Sequence, residues 1–119
     1  MQLWTIQLAR WRIAEKQNIP LIDTTAKSGI HTFAPLWSDV KAYKEGILSE
    51  VEYTDRYLEL MRQSYRRTPD VWHSLIARDQ VAIACYCTPG KFCHRHLLKD
   101  ILDKLCTHRQ ISFEYRGEL

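Results

Sequence analysis

The chain has 119 residues, a formal net charge of +3 and 45% hydrophobic residues, which suits one globular domain over residues 1–119 with a single real core. No apolar run approaches the ~20 residues of a membrane span, and MQLWTIQLARWR is interrupted early by Arg10 and Arg12, unlike a signal peptide. These features argue against a membrane protein and a secreted scaffold, and the mild charge without a basic tail argues against a dedicated nucleic-acid binder.

In chain order, Gln2 to Leu8 carries Leu3, Trp4, Ile6 and Leu8 in partial alternation and reads as a first strand. Ala9 to Gln17 forms a short helix, broken by Asn18-Ile19-Pro20, and Leu21 to Thr25 is a second strand. Lys27-Ser28-Gly29 to Pro35 is a loop. From Trp37 the pattern is helical, with Leu36, Val40 and Tyr43 on one face, Ser38 or Asp39 as cap, and Gly46 at the end. Ser49 and Glu52 form a capping-box pair before EVEYTDRYLELMRQSYRR, whose one side carries Tyr53, Tyr57, Leu60, Met61 and Ser64. Thr68-Pro69-Asp70 restarts a short helix through VWHSLIARD. VAIACYC is then a buried strand ending in the turn Thr88-Pro89-Gly90. A further helix follows, with Cys93, Leu97, Ile101 and Leu105 at helical spacing and Leu98 and Leu102 beside them. Ile111 to Tyr115 is a final strand. This order predicts an α/β fold, a small Rossmann-like three-layer domain with a mainly parallel sheet of about four strands. Ligands of such folds bind beyond the carboxyl ends of the strands. Cys85 and Cys87 sit at that end of the third strand, and Asp23, Thr24, Thr25, Lys41, Tyr43 and Lys44 are candidates for the same rim, with Trp37 as a pocket wall.

All four cysteines fall in the last third, and Cys85, Cys87 and Cys93 lie close together with His94, Arg95 and His96. In a reducing cytoplasm, the location expected by default, such thiols are reactive, metal-binding or packed. Cys85 and Cys87 point to one side of a strand. Cys93 is expected in the first turn of the following helix, where free N–H groups and the helix dipole favour a thiolate and bind phosphate or carboxylate. Arg95 offers a two-pronged anion contact, Lys91 adds charge, His94 and His96 can donate or exchange protons near neutral pH, and Gly90 lets a ligand approach the backbone. Three readings stay open. One is an anionic, nucleotide-like ligand with a cysteine as nucleophile or acid. Another is a zinc site of Cys85, Cys87, Cys93 and His94 or His96. The last is cysteines as small buried hydrophobes, the role expected for Cys106. Seven residues separate Cys87 from Arg95, which does not fit the Cys-x5-Arg loop of cysteine phosphatases.

CYCTPGKFCHRHLL resembles the signature of the DUF488 family, an uncharacterised α/β family of bacteria and phages: an apolar strand, a cysteine, a short turn, then Cys-His-Arg. Its phage-type members run Phe-Cys-His-Arg-His-Leu, matched by Phe92 to Leu97. Upstream, Ala34-Pro35, Tyr43-Lys44, Gly46, Tyr53 and Tyr57 resemble a second family pattern, and the likeness covers roughly residues 33 to 105. Many members carry an acidic residue where Cys87 stands. The resemblance implies a Rossmann-like fold with a site at Cys85, Cys93, His94 and Arg95, and supplies no reaction. The expected function is binding of a phosphorylated or nucleotide-like ligand at the turn through Gly90, Lys91, Arg95 and His96, with Cys/His-assisted chemistry on nucleotide or nucleic acid. The alternative is a non-enzymatic interaction module with a structural, zinc-bound Cys/His cluster. A phage-type accessory protein that binds a host protein would instead show an exposed apolar patch around Trp11 or Trp72 and no pocket at the turn.

Overall fold

Period-two alternation along two neighbouring strands builds both faces of the sheet. In β1 (Gln2–Gln7) and β3 (Gln80–Cys85), Leu3, Val81 and Ile83 point into one apolar cluster, whereas Ile6, Ala82 and Ala84 point into another. The computed structural model describes residues 1–88 and 90–119; Pro89, expected in the turn after the third strand, lies outside them. With β2 (Leu21–Asp23) and β4 (Glu114–Glu118), the strands form a parallel sheet in the order β2-β3-β1-β4. β3 is buried on both faces, which is why it reads as an unbroken apolar run.

Five helices cover the sheet: α1 (Trp11–Lys16), α2 (Trp37–Lys44), α3 (Glu50–Arg67), α4 (Pro69–Ile76) and α5 (His94–His108). Tyr57 and Met61 of α3, Trp72 and Ile76 of α4 and Leu98, Leu102 and Cys106 of α5 fill the larger cluster. Ala14 of α1 with Ile19 fills the smaller one. The result is the small Rossmann-like α/β architecture that the order of elements predicts. No helix among the described residues is long and apolar enough to cross a membrane.

Several boundaries differ from expectation for identifiable reasons. A 3-10 turn at Leu8–Arg10 precedes α1, so the first helix is shorter than Ala9 to Gln17. β2 stops at Asp23 because its carboxylate accepts the Thr25 N–H at 2.9 Å and bends the chain. Neither Ser38 nor Asp39 caps α2; Asp39 is buried and pairs with Arg56 of α3 at 3.1 Å. In α5 the deepest stripe is Leu98, Leu102 and Cys106, with Leu97, Ile101 and Leu105 only partly buried. β4 starts at Glu114 rather than Ile111; Ile111 and Phe113 pack against the core before the strand begins pairing with β1.

The capping box on α3 is present as expected: Ser49 Oγ accepts the Glu52 N–H and Glu52 Oε1 accepts the Ser49 N–H, both at 3.1 Å. Ser49→Ala is expected to cost about 1 kcal/mol in urea denaturation, with an unchanged m-value. From the same helix, Tyr57 Oη donates to Phe33 O at 2.8 Å and Ser64 Oγ to Thr32 O at 2.6 Å. These bonds hold the segment that leads into α2, and so bring Trp37 over the carboxyl edge of the sheet.

Candidate functional site

Parallel pairing sets Asp23 of β2 level with Ala84 of β3, so both strands end side by side. The residues after them, together with the start of α5, surround one cavity of about 300 Å³. Cys85 faces the same side as Val81 and Ile83, toward α5. Cys93 is the N-cap residue of α5 rather than a first-turn residue, and its side chain makes no capping bond. It is therefore free to meet Cys85: the two sulfurs touch across the turn, both residues are buried, and their Cα atoms are 7.8 Å apart.

His94 sits beside them, and its neighbours decide its tautomer. Its Nε2 lies 2.8 Å from Thr24 O and 2.9 Å from Thr24 Oγ1. A carbonyl only accepts, and Thr24 Oγ1 already donates its proton to Ala84 O at 2.8 Å. Nε2 therefore carries the hydrogen, and Nδ1 keeps its lone pair, 3.7 Å from Cys93 Sγ. Burial, aided by the nearby Arg95 charge, holds the His94 pKa down at about 4 against the upward pull of the Thr24 bond. His94 is thus a neutral acceptor at neutral pH, not the group titrating there that the sequence suggested.

Arg95 is also placed differently from expectation. It is fully buried, and each of its five N–H groups has a partner within the chain. Nε and Nη2 grip Glu118 at 3.2 and 3.3 Å, Nη1 reaches Cys85 Sγ at 2.7 Å and Cys87 O at 2.9 Å, and Nη2 also reaches Thr88 O at 3.5 Å. The guanidinium clamps β3, its turn and β4 together and orients Cys85; it has no donor left for an anion. His96 is half-buried, its pKa lowered by burial and by Arg95. His96, Lys91 and Gly90 are not among the cavity walls, and Lys91 and Gly90 are exposed. Gly90 has φ +81°, so its role is the turn itself.

Five aromatic residues, Trp37, Tyr43, Tyr53, Tyr86 and Phe92, stand among the residues that do surround the cavity. Tyr43, Tyr53 and Phe92 form a three-ring group with centroids 5.3 to 5.6 Å apart. Trp37, expected as a wall, faces it, with Lys27 Nζ 4.1 Å and Lys44 Nζ 6.0 Å from its ring centroid. Thr25 and Tyr86 close another side. Tyr86 Oη donates to Ser28 Oγ at 3.1 Å, and Ser28 Oγ in turn donates to Asp23 Oδ2 at 3.0 Å. Gly29 completes that loop: a Cβ there would come within 2.7 Å of Asp23 O and clash with the Thr25 backbone. Cys85, Cys93 and His94 line the floor, with Cys87 beside them. Among the described residues the lining holds two lysines and no carboxylate.

Of the four residues expected to form a metal site, three are brought together. The donor atoms of Cys85, Cys93 and His94 lie within 4.8 Å of one another, and Cys87 is not part of the group. The sequence did not reveal Glu118 as the partner of Arg95, Lys27 as a cavity cation, or Tyr53, Tyr86 and Phe92 as walls. The Tyr53 spacing pointed only to a buried helix face. A family model described as the Active DUF488-N3 subclade matches residues 5–105, which includes the whole cavity but not β4. No curated protein and no solved structure matches the chain.

Proposed function

We propose, from the premise that the chain belongs to the DUF488 family, that it binds a small phosphorylated or nucleotide-like anion in the cavity at the carboxyl ends of β2 and β3. The observation that carries this is the lining: aromatic walls joined to Lys27 and Lys44 with no carboxylate among the described residues. Flat apolar walls favour a planar ring system, and two lysines at the edge favour an anionic group attached to it. The cavity is at the small end of the ~300–1,000 Å³ range of ligand pockets, which suits a mononucleotide-sized molecule. α5 opens at this cavity with no acidic residue in its first turn, so its positive end adds to the preference for an anion.

On the floor, Cys93 Sγ and His94 Nδ1 face each other. In the free protein Nδ1 of the neutral His94 accepts a hydrogen bond from the Cys93 thiol and so orients it on the cavity floor. Nucleic acid fits the cavity only as a single unstacked nucleotide. The cytoplasm suits this site, because its reducing conditions keep Cys85 and Cys93 as thiols. A host-protein partner predicted no pocket at the turn and an exposed patch at Trp11 or Trp72; Trp11 is exposed, but Trp72 is buried in the core and the turn borders a cavity, which favours the small ligand.

Titration with the common nucleoside monophosphates and sugar phosphates, followed by thermal shift, tests the proposal. At least one should raise the unfolding temperature. Trp37→Ala should weaken that ligand by the ~1–3 kcal/mol of one aromatic stacking contact, roughly 5- to 150-fold. Lys27→Ala with Lys44→Ala should weaken it most at low salt. No stabilisation of the wild-type chain by any of these compounds would overturn the proposal.

A further inference from the structure

We propose that Cys85 Sγ, Cys93 Sγ and His94 Nδ1 hold a thiophilic divalent cation, Zn²⁺ before others, on the cavity floor, with the fourth coordination position open to the ligand. This rests on the cavity described above and deepens it by naming a cofactor class for its floor.

Four observations converge. First, the three donors are buried, and their ligating atoms lie within 4.8 Å of one another. The Cys93 Sγ to His94 Nδ1 distance of 3.7 Å is close to the roughly 3.6 Å set by Zn–S ≈ 2.3 Å and Zn–N ≈ 2.0–2.1 Å at a tetrahedral angle. Second, the supporting bonds are those a ligated site needs. His94 Nε2 donates to the Thr24 carbonyl at 2.8 Å, which leaves Nδ1 as the ligating atom. Cys85 Sγ accepts from the buried Arg95, whose charge is balanced by Glu118. Third, charge closes: two thiolates neutralise a dication, and Arg95 neutralises Glu118, so the buried group as a whole carries no net charge. Fourth, the Cα atoms of Cys85 and Cys93 are 7.8 Å apart, beyond the ~4.4–6.8 Å of relaxed disulfides. An inserted cation separates the two touching sulfurs by small side-chain rotations and leaves that backbone spacing in place.

Three protein ligands facing a cavity are the pattern of a centre that acts on a ligand, whereas closed four-ligand sites are structural. Cys87 lies outside the group, so no fourth protein ligand is supplied from among the described residues. Binding exchanges protons for metal: M²⁺ plus two thiols gives the dithiolate complex and two H⁺.

The test uses the full chain, reduced and freed of metal with a chelator, then titrated with Co²⁺. One equivalent should bind, with an intense near-ultraviolet thiolate-to-cobalt band and the strong visible bands of a tetrahedral site. Two protons should be released per cation, and Zn²⁺ should displace the cobalt. Cys93→Ser and His94→Asn should each lose the spectrum, whereas Cys87→Ser should keep it. Circular dichroism identifies any variant that fails to fold, and the wild-type spectrum decides the matter without the variants. Absence of the thiolate band in the wild-type chain, or its loss in folded Cys87→Ser, would overturn the inference. Nucleotide thermal shifts, repeated with and without Zn²⁺, separate the two proposals. A nucleotide shift without any cobalt spectrum sinks the metal site alone. A cobalt spectrum without any nucleotide shift supports the metal site and sinks the ligand.

Discussion

Replacing Arg95 with methionine is expected to destabilise the chain by about 3–5 kcal/mol, the range for removing one member of a buried ion pair. The change leaves Glu118 without its bidentate partner, and deprives Cys85 Sγ and the carbonyls of Cys87 and Thr88 of their donor. Glu118 is partly exposed, so water recovers some of the loss there and the effect should fall toward the lower end. Arg95→Lys should rescue little, because a single ammonium cannot reach β4 and the turn after β3 in the same fork geometry. Glu118→Gln should cost less, since its amide oxygen still accepts from the guanidinium. Urea denaturation of the three variants measures this order. An arginine reserved for ligand would behave in the opposite way, leaving the free protein as stable as wild type and abolishing only ligand-induced stabilisation. Wild-type stability in Arg95→Met would therefore overturn the anchoring role.

Acidification is expected to weaken the metal-free fold through His94. Its native pKa is about 4 against an ordinary 6.5. Above the ordinary value both folded and unfolded chains hold it neutral, and its contribution is complete. As pH falls through the interval from 6.5 to about 4, the unfolded chain takes up a proton that the native site refuses, and stability declines. Below the native value both states are protonated and the loss levels off, at about 3 kcal/mol in all. The side chain is almost wholly buried, so solvent screens little of this. Carboxylates add their own acid dependence, which the difference between wild type and His94→Gln removes, because glutamine can still donate to the Thr24 carbonyl without titrating. Denaturant midpoints across this range, with chelator present, should show the wild-type curve falling more steeply than the variant's. Parallel curves would mean that His94 is hydrated in the native state.

Both effects arise from contacts that link distant parts of the chain. Arg95 and Glu118 are 23 residues apart, and His94 and Thr24 are 70 apart. No local pattern announces either pair. β4 shows the same limit: Glu114 to Glu118 lacks an apolar alternation, and its register comes from pairing with β1, so the apolar Ile111 to Tyr115 was the more visible segment and the wrong one at its start.

What the sequence determined by itself was everything set by short-range periodicity and by residue chemistry. The apolar run of β3, the Ser49–Glu52 capping box, the Tyr53-Tyr57-Met61 stripe and the strand–helix order specify a parallel α/β sheet, because each depends on neighbours within a turn or a pleat. The concentration of Cys85, Cys93, His94 and Arg95 pointed to the strand–helix turn that borders the cavity. Only the tertiary structure decided which of them face the cavity and which hold it in place. It turned Arg95 away to Glu118, fixed the free nitrogen of His94 through Thr24, set Cys87 outside the donor group, and supplied Lys27, Tyr86 and Phe92 as walls. The physical reason is that a side chain's role depends on the partners brought level with it at the strand ends, and that alignment is settled by packing across the whole sheet.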